Sequence, residues 1–156
     1  MAMHIAGLDA DIIDALTQVS TPDHRPDALT IGVSLPDSPD ELPACIADVD
    51  ALLERELSRV SPRILVAVVH AASRLNEGRA FASELIDHAS VHSSNSLGRD
   101  LTAVGIVLDD GQDRALVARR IAEHLSGRSN LGDGTVVTAR DLRRVTLREL
   151  ILEDVL

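Results

Sequence analysis

Residues 63–70 of this chain read Arg63-Ile64-Leu65-Val66-Ala67-Val68-Val69-His70. Every residue between the arginine and the histidine is aliphatic, and none is charged. A short apolar run that is followed by polar residues is typical of a β-strand covered on both faces. Strands of this kind belong to parallel sheets with helices packed on each side. The run therefore predicts an α/β fold with residues 64–70 as its central strand.

Other strands are predicted before and after this run. Apolar residues alternate with small or polar ones from Leu29 to Leu35, which predicts a strand with one buried face, nearer the sheet edge. Residues 101–108 are largely apolar and predict a second central strand. Residues 135–138 predict a further short strand.

The clearest helical pattern lies between the strands predicted at residues 29–35 and 64–70. Its apolar residues recur at spacings of three and four from Leu42 to Val60. We favour Asp40 as its N-cap, because Pro43 then falls in the first turn, where no backbone donor is needed. Ser38 and Glu41 form an alternative start, since together they match a capping box.

Further helices are predicted along the rest of the chain. One covers about residues 77–89, with Asn76 as its N-cap and a polar loop over residues 90–100 behind it. Amphipathic helices are also expected over residues 8–19, after Asp109-Asp110-Gly111, and over residues 146–156.

Together these elements predict a single three-layer α/β domain over residues 1–156. We expect a mostly parallel sheet of about four strands, with helices on both faces. The strand–helix–strand unit that ends at residue 70 implies a crossover connection, which is nearly always right-handed.

The composition argues against nucleic acid as a partner. The formal net charge is −10, and an acidic chain repels the phosphate backbone of nucleic acids. The chain contains one Phe, Phe81, and no Trp or Tyr, so an interface of this chain lacks the aromatic anchors common at binding sites.

No apolar stretch approaches the ~20 residues that a membrane helix needs. Cys45, the single cysteine, fits a reducing compartment, and we expect a cytoplasmic protein.

The carboxyl ends of the two long strands are the expected ligand site, because open α/β sheets bind ligands there. His70 and Asp109 lie at these ends and are the candidate catalytic residues, either as a base oriented by a carboxylate or as ligands of a divalent cation. Four neighbouring polar residues are candidates for ligand binding: Ser73, Arg74, Asn76 and Asp110. The alternative is structural, with Asp110 capping the next helix and His70 bonded to a loop carbonyl.

Weaker candidates lie elsewhere in the chain. His88 and His92 are four residues apart and would share a face only if the helix continued past residue 89. Ser93 and Ser94 lack the sequence of a nucleophile elbow. Cys45 lies beside an apolar helical stripe, which favours packing over reactivity.

Two functions remain open from the sequence. One is a non-catalytic subunit that binds a protein partner, or a second copy of itself, through its terminal helices. The other is a small acid–base or metal-assisted enzyme, hydrolase-like, that uses His70 and Asp109. The sequence indicates no particular cofactor, since it contains neither a Walker A motif nor a dinucleotide fingerprint.

Overall fold

The predicted central strand is β3, Ile64–His70, in the computed structural model of the protein. All of its residues except His70 are buried. The structure describes residues 4–7, 10–18, 27–109, 114–126 and 134–139, together with Leu142, Leu147 and Glu149.

The described strands form one parallel sheet. Across the sheet, the strands lie in the same order as in the sequence. The strands are β1 (His4–Gly7), β2 (Ala28–Ser34), β3, β4 (Thr102–Leu108) and β5 (Thr135–Thr138). The α/β prediction is confirmed, with five strands where about four were expected. The additional strand is β1, whose four half-buried residues are too few to give a recognisable pattern.

Helices cover both faces of the sheet, as the sequence predicts. They are α1 (Ala10–Thr17), α2 (Leu42–Val60), α3 (Leu75–Leu97) and α4 (Arg114–Ser126). Helices α2 and α3 pack on one face, and α1 and α4 pack on the other. None of the helices in the described part of the chain is long and apolar enough to cross a membrane.

The two faces of β3 have separate aliphatic cores. Leu65, Ala67 and Val69 pack toward α2 and α3. Val66 and Val68 point the opposite way, toward α1 and α4. This alternation follows from the two-residue period of a strand. It explains why the sequence of a strand between two helical layers is continuously apolar.

The connections between strands have two different hands. Each strand is followed across the sheet by the next strand in the sequence, always in the same direction. A helix on one face and a helix on the other therefore belong to crossovers of opposite hand. The connections through α2 and α3 share one hand, and those through α1 and α4 share the other. Since right-handed crossovers are the strong rule, one of these two pairs is exceptional.

Strand β2 is buried on both faces, so the prediction of a single buried face is wrong. Thr30 and Gly32, the residues between its larger apolar side chains, are buried as well. The cause is α1, whose Ile12 side chain packs directly over Gly32. The prediction that β2 lies nearer the sheet edge than β3 is confirmed.

Helix α2 begins differently from the predicted start at Asp40. A short 3-10 turn over Pro39–Glu41 precedes it, and the Ser38 side chain accepts a hydrogen bond from the Asp40 backbone N–H at 3.3 Å. Asp40 is therefore part of this turn rather than the N-cap. Pro43 does lie in the first turn of α2, where its missing donor leaves no bond unmade.

Helix α3 is longer than predicted at both ends. It begins at Leu75, so Asn76 lies inside it and Arg74 occupies the N-cap position. It continues to Leu97, so most of the polar segment predicted as a loop is helical. The reason is that Ser93 extends the buried stripe of the helix and donates a hydrogen bond from Oγ to the Arg99 carbonyl at 2.9 Å.

Two residues near the carboxyl end of the sequence pack on the chain's own core. Leu142 and Leu147 are buried in the layer that contains α1 and α4. The Arg120 side chain of α4 donates a hydrogen bond to the Leu142 carbonyl at 3.0 Å. Most of the helix predicted over residues 146–156 lies outside the described residues.

Candidate functional site

The ends of β3 and β4 bring the two predicted catalytic residues to neighbouring positions. His70 pairs with Leu108 in the parallel register, and the Ala71 N–H donates to the Leu108 carbonyl at 2.9 Å. Asp109 is the next residue of the chain and is half-buried in the bend after β4. The half-buried His70 side chain lies on the face covered by α1 and α4, as the alternation along β3 requires.

The chain diverges at this pair of strand ends. From β3 it continues to α3 on one face of the sheet, and from β4 it continues to α4 on the other. Open α/β sheets bind ligands where such connections diverge, so a crevice is expected between these strand ends. In a doubly wound sheet the divergence comes from a reversal of strand order. Here it comes from the change of crossover hand.

The residues predicted to bind a ligand around this crevice are not all gathered there. The Arg74 guanidinium donates to the Pro36 carbonyl and lies 3.4 Å from a Glu77 carboxylate oxygen. These contacts direct it toward α2, away from the face that the His70 side chain occupies. Ser73 and Asn76 are exposed, in the turn before α3 and in its first turn. Asp110 lies outside the described residues.

A second feature is a groove between α2 and α3, which the sequence did not predict. It consists of two adjoining cavities of about 210 and 190 Å³. Ile46, Phe81 and Glu84 line both of them, so the two cavities lie next to each other between the helices. The remaining lining residues are Leu35, Pro36, Ser38, Pro39, Leu42, Val49, Asp50, Arg74, Glu77, Ala80, Leu85 and His88. We call this feature the α2–α3 groove.

The floor of the α2–α3 groove is apolar and its rim is acidic. Leu42 and Ile46 are only half-buried although they belong to the apolar stripe of α2, and Phe81 closes the floor from α3. Glu77 and Glu84 stand exposed along the α3 side of the rim. The groove therefore combines accessible aliphatic surface with negative charge.

A histidine and two carboxylates occupy one end of the groove. The Nε2 atom of His88 lies 3.4 Å from Glu54 and 3.9 Å from Asp50, both on α2. His92 shares this face of α3, because the helix continues past residue 89. No group of three His, Cys, Asp or Glu side chains suited to a metal ion occurs among the described residues. His88 and His92 therefore share a face of α3, but no third side chain among the described residues completes a metal site with them.

Ser93 and Cys45, two other candidates from the sequence, have contacts typical of structural residues. Ser93 is fully buried and closes the end of α3 through its bond to Arg99. The Cys45 thiol is half-buried, and its sulfur lies 3.9 Å from the Ser34 carbonyl. Burial raises the pKa of this thiol, and the negative charge of Asp48 raises it further. A raised pKa keeps the thiol protonated, which makes it a poor nucleophile.

Comparisons with known proteins found no match: no family model and no curated protein matches the sequence, and no solved structure matches the fold.

The groove had a weak signal in the sequence. The helical spacing of apolar residues puts Phe81, Leu85 and Ala89 on one stripe of α3, and Leu42 and Ile46 on one stripe of α2. Periodicity shows which side of a helix is apolar, but it does not show how much of that side a neighbouring helix covers. Partial cover of one apolar stripe is what produces the groove.

Proposed function

We propose that this protein is a non-catalytic binding subunit that holds a segment of a partner protein in the α2–α3 groove. The observation that carries the proposal is the apolar floor of the groove, where Leu42 and Ile46 are only half-buried above the buried ring of Phe81. Grooves between two helices commonly bind the apolar face of a third. The single cysteine and the sequence composition favour the cytoplasm as the place where this binding occurs.

The partner surface that the sequence suggested was the pair of terminal helices. In the structure, Ile12 and Leu16 of α1 are buried in the chain's own core, and so is Leu147. Apolar residues that are already buried in the chain's own core offer little surface to a partner. The α2–α3 groove lies on the opposite face of the sheet and retains accessible apolar surface, so we assign partner binding to it.

A selection experiment tests this proposal. A library of random peptides displayed on phage is selected on the wild-type protein, and the enriched peptides are titrated against two variants. Ala80 is exposed and lines the groove, so Ala80→Arg should fill the groove and weaken binding about tenfold or more. Ala51→Arg is the matched control, since Ala51 is exposed on α2 and lines neither cavity. Peptides that bind both variants equally would refute the groove as the binding site.

The crevice expected at the ends of β3 and β4 is the basis of a second candidate function, small-ligand binding with acid–base or metal-assisted chemistry. The divergence of the chain after these strands is the observation that favours it. In this function His70 acts as the base and Asp109 orients it or shares a cation with it.

Ion binding at this crevice is testable without a known substrate. A cation held by His70 and Asp109 should raise the melting temperature of the wild type, with about 2.7 kcal/mol of stabilisation at a hundredfold excess over Kd. The effect should disappear in His70→Ala and in Asp109→Asn. Asparagine has nearly the same size and shape as aspartate, so the second variant removes mainly the charge. An absence of stabilisation by Mg²⁺, Mn²⁺, Ca²⁺ and Zn²⁺ would eliminate the metal-assisted version.

A further inference from the structure

We infer that the occupant of the α2–α3 groove is a basic amphipathic helix of about three turns. This inference rests on the proposed function and adds the charge, the length and the conformation of the partner segment.

The length follows from the extent of the groove along α3. Its lining begins at Glu77 and ends at His88, eleven positions further along the helix. At 1.5 Å per residue this distance is about 17 Å, which equals about three turns of a docked helix. A helix of that length presents apolar anchors at positions i, i+4 and i+7. The half-buried side chains of Leu42 and Ile46 are the floor surface that those anchors would contact.

The charge follows from the rim. Glu77, Glu84 and Asp50 line the groove, and Glu54 adjoins it beside His88. Their side chains are accessible: those of Glu77, Glu54 and Asp50 are 63%, 51% and 38% exposed. The one arginine in the lining, Arg74, already bonds the Pro36 carbonyl and Glu77. Lysine or arginine residues beside the anchors of an incoming helix would meet carboxylates on both walls.

The same charges argue against a second copy of this chain. Each copy has a net charge of −10, and two grooves placed face to face would bring acidic rims together. The chain's own arginine-rich segment, with Arg140, Arg143, Arg144 and Arg148, does not fit either. Leu142 and Leu147 of that segment are buried on the opposite face of the sheet. The partner is therefore a different, basic polypeptide.

Two designed peptides test the inference directly. The basic probe is a capped helix of about twelve residues with leucine anchors at i, i+4 and i+7, lysine at the flanking positions and one terminal tryptophan. The acidic probe has the same sequence with every lysine replaced by glutamate. Tryptophan fluorescence reports only on the peptide, because the protein contains no Trp or Tyr.

We expect the basic probe to bind and the acidic probe to bind at least about tenfold more weakly at low salt. Glu84 lines both cavities, so Glu84→Lys should weaken the basic probe about tenfold. Asp87→Lys is the matched control, since it makes the same charge reversal at an exposed position of α3 outside the lining. Circular dichroism should show that the bound probe is helical.

Other outcomes separate the inference from the proposed function. Equal affinity of the two probes, or equal effects of Glu84→Lys and Asp87→Lys, would overturn the basic helix. Library peptides that bind in the groove but are acidic or extended would also overturn it, while the proposed function would stand. If the wild type self-associates in light scattering and Ala80→Arg disperses it, the occupant is a second copy and the inference is wrong.

Discussion

Gly32 of β2 lies so close to Ile12 of α1 that a Cβ atom at Gly32 would be 2.6 Å from the Ile12 Cγ2 atom. That separation is far below van der Waals contact, so any side chain at this position forces α1 away from the sheet. We expect Gly32→Ala to lower the free energy of unfolding by about 1–3 kcal/mol, as overpacking typically does.

A double-mutant cycle measures the contact between these two residues. Ile12→Ala removes the side chain that a methyl group at Gly32 would meet, so Gly32→Ala should cost less in that background than in the wild type. Chemical denaturation of the four proteins gives the coupling energy. Strictly additive effects would mean that the cost of Gly32→Ala arises elsewhere.

The central position of β3 predicts a severe effect of charge at Val68. Val68 is completely buried, and an unpaired carboxylate there has no partner and no water. We expect Val68→Asp to prevent cooperative folding. Val91→Asp is the control, because Val91 is 58% exposed on α3 and should tolerate the same change. A soluble Val68→Asp protein with a cooperative thermal transition would contradict the position of β3.

Cys45 predicts a specific dependence of stability on pH. Burial and Asp48 raise the pKa of its thiol above the ordinary value of 9.0, so the protonated thiol is the form that favours folding. Its contribution is complete below the pKa of the unfolded chain and is lost as the pH rises through the folded-state pKa. Between about pH 8 and pH 10, the wild type should therefore lose more thermal stability than Cys45→Ala. Parallel melting curves across this range would contradict the prediction.

The buried serine of α3 predicts a measurable effect at a helix end. Ser93→Ala removes the donor that reaches the Arg99 carbonyl, and we expect it to cost about 1 kcal/mol of stability. Ser94→Ala provides the comparison, since Ser94 is exposed one position further along. Similar stability of the two variants would show that α3 does not depend on this bond for its last turns.

Leu147 tests whether the segment near the carboxyl end belongs to the chain's own core. It is 1% exposed, so Leu147→Ala should cost about 2–5 kcal/mol without changing the mass in solution. Glu149→Ala, at an exposed position, should have little effect. A fall in molecular mass with unchanged stability would place Leu147 at an interface between subunits instead.

Local sequence patterns predicted the strands and helices whose own residues show the full apolar run or periodicity of the element. Strands β3 and β4 were predicted because a helical layer on each face requires an unbroken apolar run. The length of α3 was missed because its last turns are mostly polar, although Gly98, which ends the helix in the left-handed conformation, is a local stop signal. The short strand β1 was missed because its stability comes from pairing with β2 rather than from its own residues.

The candidate site also has features that the sequence predicted and features that it did not. Chain order alone placed His70 and Asp109 at the carboxyl ends of adjacent strands, since the carboxyl ends of parallel strands meet at one edge of a sheet. The orientation of Arg74 was not predictable, because it is decided by the Pro36 carbonyl on another segment. The α2–α3 groove depends on how far two helices stand apart, which periodicity does not encode.

The sequential order of the strands has a consequence for folding during synthesis. Every described strand pairs only with strands that are its neighbours in the sequence. Paired residues of neighbouring strands are 25–38 positions apart, so each pair can form once its second strand has left the ribosome, and nascent chains fold from the amino end. We therefore expect β2 and β3 to pair before β4 has emerged, with each later strand added to a finished edge. Force measurements on stalled nascent chains should then show several successive folding events, whereas one event at full length would indicate that the sheet assembles all at once.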